Sequence, residues 1–455
     1  MSSESSVKSS FWEKLAMFFA FFQIVLIAWL LSGELIWCVA LMAFTSCSML
    51  FCSTFFKKND TSLWLPNLIK YTVYVVFIVF IVGWKNPCFE VEVGERFRVL
   101  KNIENCFFLP TCIDTDFCRK NSFFDAVQIL TSLVFVYSVV RLCNCNRRFL
   151  VYLLPFFSTN AVLMACFAIW QKNVGLQMMY GCFYSVGDFY GTFFLSNAAG
   201  AFFNMSIAAS AASFKMLFDS SKKGSFIPFV FLCYIPIFVY ASFDCGSTMA
   251  KICCICTLIG LPFPYLVMKL ARRHFKRFSI LFIVFILSFG GTFLFFNDNI
   301  IGALQKIDPF AEQSMSTRIE MYKTSSELIR ERPLFGYGGG ACKDILSSAM
   351  IKKQKSEKAF FRGTDHAHSD VLEYTLDYGL LGMAFLVLLF LFWGRDFFGV
   401  SGNVENGFLA WGALVCLCHS CMDMELHIPS TMLTFGLLVA LSICRGNLQS
   451  ERNFL

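Results

Sequence analysis

Proton-transfer and anion-binding side chains cluster in one polar stretch of this 455-residue chain. It ends in Asp365-His366-Ala367-His368-Ser369, and Gly379 and Gly382 follow eleven and fourteen residues after His368. An imidazole can take or give a proton near neutral pH. His366 and His368 are two apart, so on a helix they point away from each other and make poor joint ligands for a metal. No other metal-ligand spacing is visible, and neither a metal nor a cofactor is expected. Asp365 suits a helix cap or a partner for one of the rings, and His366 is read as support.

Fifty residues before His368 stands Arg318. A guanidinium stays ionised and binds phosphate oxygens through two parallel hydrogen bonds, so Arg318 is the candidate phosphate holder. A plain surface arginine in a first helical turn is the alternative. Lys251, in Gly246-Ser247-Thr248-Met249-Ala250-Lys251, could add a point charge without the two-pronged grip. Lys352, Lys353, Lys355, Lys358 and Arg362 form a basic run that suits an anionic acceptor, a membrane surface or a solvated face.

These residues need elements to place them. Ser316 to Glu331 reads as an amphipathic helix, capped by Ser314 or Ser316 and stopped by Pro333. After it, Pro333-Leu334-Phe335-Gly336-Tyr337-Gly338-Gly339-Gly340 enters a flexible turn whose N–H groups could face an anion, or which is simply a loop. If a helix starts at His368, then His368, Leu372, Thr375, Gly379 and Gly382 share one stripe, and the glycines let another helix pack closely. An interfacial histidine above an ordinary small-residue seam fits the same spacing.

The frame around them is a membrane. The chain is 57% hydrophobic and 15% charged, with 57 Phe and a mean hydropathy of +0.62. That composition excludes an ordinary soluble domain. The expected fold is all-α, a polytopic transmembrane helical bundle. About twelve spans lie near 12–31, 35–56, 65–84, 124–142, 149–170, 191–214, 225–243, 247–268, 278–296, 371–393, 407–422 and 429–444. Basic residues alternate between the short connections, which puts both termini in the cytoplasm. Two long loops, 85–123 and 297–370, then fall outside, the second of them partly helical and just before the tenth span. Cys88, Cys106, Cys112 and Cys118 share the first of these, where they could form two disulfides, with a zinc site as the lesser alternative. No nucleic-acid motif is present.

His368-Ser369 with Gly379-x-x-Gly382, the Arg318 helix and the Pro-Leu-Phe-Gly-x-Gly turn resemble the O-antigen ligase and polymerase superfamily. Gly191-Thr192-Phe193 with Asn197, and Asp423-Met424-Glu425-Leu426-His427-Ile428-Pro429, are similar to further family stretches. The resemblance divides the chain into membrane helices at 1–190, a ligase-like region at 191–445 holding loop 297–370, and a tail at 446–455. It implies a multi-pass protein of a bacterial inner membrane, working on the periplasmic face. It also implies a glycosyltransferase that moves a glycan from a polyprenyl diphosphate, such as undecaprenyl diphosphate, to lipid A-core or a similar acceptor. His368 would be the general base, Arg318 and Lys251 would hold the diphosphate, and Gly379 and Gly382 would support. Relatives carry a second arginine near position 248, and this chain does not. The acceptor stays open between a glycolipid, a growing polysaccharide and a protein. A small-solute transporter is the competing class.

Overall fold

A computed structural model describes residues 2–56, 63–93, 98–114, 116–145, 148–183, 189–220, 225–262, 309–357, 366–400 and 404–444. Among these, thirteen α-helices run in order. They are α1 (Ser2–Trp29), α2 (Ile36–Thr54), α3 (Trp64–Lys85), α4 (Asp116–Cys145), α5 (Arg148–Asn173), α6 (Ser196–Ser220), α7 (Ile227–Asp244) and α8 (Thr248–Gly260). Then come α9 (Pro309–Glu331), α10 (Cys342–Glu357), α11 (Asp370–Val400), α12 (Val404–Ser420) and α13 (Pro429–Ser442).

Eight helices, α1 to α7 and α11, are long and apolar enough to cross a membrane. The protein is a multi-pass membrane protein. The twelve expected spans are not all of one kind. Those at 247–268, 407–422 and 429–444 appear as helices of 13, 17 and 14 residues. A helix of that shortest length rises about 20 Å against a hydrocarbon core of about 30 Å. The span expected at 278–296 lies outside the described residues.

The chain divides into two compact units. The first holds residues 1–81, 123–265 and 385–455. Its central helix is α6, which packs against α5, α7, α8, α12 and α13. The reason is in its sequence, where Ala and Ser recur and nearly every residue from Ala198 to Ser213 is buried. Small residues let helix backbones approach closely where lipid supplies no hydrophobic drive. A Cβ on Gly200 would stand 2.2 Å from the Ala250 Cβ, and one on Gly412 would stand 2.5 Å from the Ala208 Cβ. The helix begins at Ser196, later than expected, because Tyr190 and Phe193 exchange backbone hydrogen bonds in a tight turn.

The second unit holds residues 82–122 and 266–384. The described chain is mostly helical, as expected, and this unit adds one small sheet. The first long loop carries a three-stranded sheet of order β2-β1-β3, built from β1 (Pro87–Val93), β2 (Arg98–Asn102) and β3 (Cys112–Asp114). Strand β1 pairs antiparallel with β2, Val91 facing Leu100, and parallel with β3, Phe89 facing Ile113. The alternation Phe89-Glu90-Val91-Glu92-Val93 is the period-two signature of such a strand. One core joins the sheet to α9, α10 and the start of α11 through Cys88, Ile113, Leu328, Tyr337, Leu346 and Leu376.

That core also decides the cysteines. Cys88 and Cys106 are free thiols, so two disulfides among the four do not form. Cys88 sits beneath Tyr337 and donates to the Cys112 carbonyl at 3.3 Å, while Cys106 is exposed in the loop beyond β2. Burial pushes the Cys88 thiol above its ordinary pKa, which makes it a core residue rather than a reactive one. The Cys118 side chain lies outside the described residues.

Candidate active site

Helix α11 does not start at His368. It starts at Asp370, and His368 precedes it with a left-handed backbone, φ +50°. Asn, Asp and His tolerate that conformation better than most side chains, but it needs holding. Two contacts hold it. The Tyr322 hydroxyl donates to the His368 carbonyl at 2.8 Å. Glu373, buried in the first turn of α11, accepts the Ala367 N–H at 3.0 Å and has its other oxygen 2.8 Å from His366 Nδ1. Its own N–H donates to the Ser369 carbonyl, the first backbone hydrogen bond of α11.

Tyr322 lies on α9 one helical turn after Arg318. Residues four apart share a helix face, so the His368 segment is fastened to the face of α9 that carries Arg318, near the middle of that helix. Both His368 and Arg318 are partly exposed. Removing the hydroxyl with Tyr322→Phe is expected to lower thermal stability by about 1 kcal/mol, the usual worth of one hydrogen bond. The same change should speed amide exchange across His366–Ser369 in exchange mass spectrometry. Unchanged exchange would show that Glu373 alone fixes the segment.

The expected stripe from His368 through Gly379 to Gly382 is not formed. Gly379 has φ +67° and ψ −173°, which breaks α11. A break leaves carbonyls and N–H groups without helical partners, and buried ones must be satisfied elsewhere. The Pro333–Gly338 turn satisfies them. Tyr337 and Gly338 donate to the freed carbonyls of Leu376 and Asp377 at 2.9 and 2.8 Å. Leu380 and Leu381 donate to the carbonyls of Pro333 and Leu334 at 2.8 and 3.2 Å. Gly379 therefore packs on the turn's backbone and Gly382 lies against Tyr378 of its own helix; among the described residues neither seats another helix.

Two further N–H groups, those of Gly340 and Cys342, also point inward. The buried Asp377 carboxylate accepts from Gly340 at 2.8 Å and from Cys342 at 2.9 Å, which caps α10. Those N–H groups hold a protein carboxylate, not a phosphate. Tyr337 is fully buried, donating to the Leu328 carbonyl and Glu331; burial and that carboxylate push its hydroxyl pKa far up. Sequence reading passed over Glu373 and Asp377. Their signal was their cost, since acidic residues are expensive on an otherwise apolar helix.

The other expected site residues fall in different places. Lys353 on α10 pairs with Glu327 and donates to Thr324 Oγ1 at 3.2 Å, which ties α10 to α9. Lys352 and Lys355 are on α10 with side chains outside the described residues, as are Lys358, Arg362 and Asp365 altogether. Lys251 belongs to the first unit, in the first turn of α8, where Ser247 caps the helix. In that unit the Asn197 amide donates to Asp423, so two motifs 226 residues apart meet. Although no metal-ligand spacing shows in the sequence, the fold gathers His419, Asp423 and Glu425, all buried, with one ligand-type atom each within 4.8 Å of the others. His419 Nε2 lies 3.3 Å from Glu425 Oε1, so these three also form a polar knot around the turn before α13. They are the described residues that could hold a cation.

Residues 236–387 match the family model described as O-Antigen ligase. This region resembles the O-antigen ligase superfamily. A second similarity is to the uncharacterized protein L43 of Acanthamoeba polyphaga mimivirus, 34% identical over 73 residues. That stretch is 16% of this chain and 31% of the viral protein, so the chain spans about a third of that relative's length. The O-antigen ligase region runs from α7 into α11 and contains Lys251, Arg318, His368, Gly379 and Gly382. The Gly191 and Asp423 motifs lie outside the matched residues.

Proposed function

We propose that this protein is a membrane glycosyltransferase of the O-antigen ligase type, acting on the periplasmic face of a bacterial inner membrane. Its donor is a glycan on a polyprenyl diphosphate such as undecaprenyl diphosphate, and its acceptor is lipid A-core or a similar glycolipid. The observation that carries this reading is the Tyr322–His368 hydrogen bond, which fastens a candidate base to the helix of a candidate phosphate binder.

In this mechanism neutral His368 accepts the proton of the acceptor hydroxyl as its oxygen attacks the anomeric carbon. The bond from that carbon to the diphosphate oxygen breaks, and negative charge builds on the departing diphosphate. Arg318 meets that charge with two hydrogen bonds, an interaction strongest in the transition state. The polyprenyl diphosphate is a good leaving group, so His368 and Arg318 suffice for the proton and charge movements. Glu373 and Tyr322 keep the His368 backbone in its left-handed turn and do not touch the reacting atoms.

Purified protein in lipid vesicles tests this directly. With a polyprenyl-diphosphate-linked glycan and no nucleotide, it should release polyprenyl diphosphate in step with acceptor glycosylation. Lipid A-core, a glycan repeat and an acceptor protein are supplied separately, and the substrate that becomes labelled names the reaction. No transfer to any of the three would reject the proposal.

A further inference from the structure

We infer that Phe107-Phe108-Leu109 is a membrane-inserting tip, seated among the headgroups and upper acyl chains of the leaflet that α3 reaches at Lys85. The three side chains are exposed, Phe108 at 71%. A run of large apolar side chains left exposed marks an interaction surface. The occupant follows from where the run is held.

The tip lies between β2 and β3 and is fastened on both sides to the end of a membrane span. Helix α3 is an apolar span that finishes in Trp84 and Lys85, residue types that anchor at the membrane–water boundary. Asn86 comes next, and its side chain binds both flanks of the tip. Its amide donates to the Cys106 and Pro110 carbonyls at 2.9 and 3.0 Å, and its oxygen accepts the Cys106 N–H at 2.9 Å. The Thr111 hydroxyl donates to the Asn86 carbonyl at 2.7 Å. Thr111 also packs on the last turn of α3, so closely that a Cβ on Gly83 would stand 2.9 Å from the Thr111 carbonyl oxygen. Held by five residues against the end of α3, the tip has little freedom to leave the boundary.

The chemistry of its surroundings fits a bilayer. Phe107 and Phe108 meet edge to face, with centroids 5.6 Å apart, and form one wedge. The Arg332 guanidinium lies 5.7 Å from the Phe107 centroid and donates to Asn105 at 3.0 Å. A cation beside aromatic rings at this depth suits lipid phosphates above and acyl chains below. The inference does not depend on glycosyl transfer, because it needs only the span and the loop.

Depth-resolved fluorescence of the full chain in nanodiscs tests it. A fluorescent amino acid with an environment-sensitive naphthyl ketone replaces Phe108, and a second sample carries it at Glu327, an exposed position on α9. At 108 the emission should be blue-shifted relative to 327 and quenched by lipids brominated on their acyl chains, but not by aqueous iodide. Quenching by iodide and not by brominated lipid would overturn the inference. Quenching by neither would mean that protein covers the tip, which overturns it equally.

Discussion

Replacing His368 with Asn should cut glycosyl transfer by about 10²–10⁴-fold, the usual contribution of a positioned general base. Asn is the informative substitution here because of the backbone. His368 has φ +50°, and Asn tolerates the left-handed region far better than Ala does. His368→Asn therefore removes the imidazole while leaving the turn that Tyr322 and Glu373 hold. His368→Ala mixes chemistry with strain. The measurement is initial transfer rate at saturating donor, together with amide exchange across residues 366–369. A large rate loss with unchanged exchange is the expected result. A variant that transfers at the parental rate would remove His368 from the mechanism and leave the O-antigen ligase region without its base.

The largest effect on stability should come from Gly379→Ala. At φ +67° and ψ −173° a side chain is strained on its own account, by about 1–3 kcal/mol. The added Cβ would also stand 2.2 Å from the Leu334 carbonyl oxygen and 2.5 Å from the Phe335 nitrogen, which are backbone atoms. The turn would have to move, and the four hydrogen bonds between residues 333–338 and the break in α11 would go with it. A loss of several kcal/mol follows, enough to unfold the second unit or leave it poorly packed. Gly394→Ala is the matched control on the same helix, since nothing stands within 4 Å of its would-be Cβ. Thermal unfolding in nanodiscs should show a steep drop for the first variant and little change for the second. Equal behaviour of the two would mean that α11 runs unbroken through Gly379.

The Gly379 break shows where reading along the chain stops working. The stripe expected to join His368, Gly379 and Gly382 assumed an unbroken helix. A helical period holds only while the i to i−4 ladder holds. Whether the ladder could break depended on the carbonyls of Pro333 and Leu334 and the N–H groups of Tyr337 and Gly338. Those partners lie some forty residues upstream, and no local period contains them. The cysteines make the same point. Four in one polar loop suggested disulfides, but the sheet buries the Cys88 thiol and leaves Cys106 exposed.

What the sequence alone determined is what depends on length, hydropathy and residue type. Apolar runs of about twenty residues have to cross or line a membrane. Arg318, His368 and the glycines were visible because their chemistry is unusual in such a chain. Tertiary structure decided which other residues hold them. It fastened His368 to α9 through Tyr322, turned the glycine-rich N–H groups onto Asp377, and clamped the left-handed turn with Glu373. Each of these rests on one or two hydrogen bonds between residues that are not neighbours in sequence. A hydrogen bond needs its partners about 3 Å apart and aligned, a condition of space that composition and period do not encode.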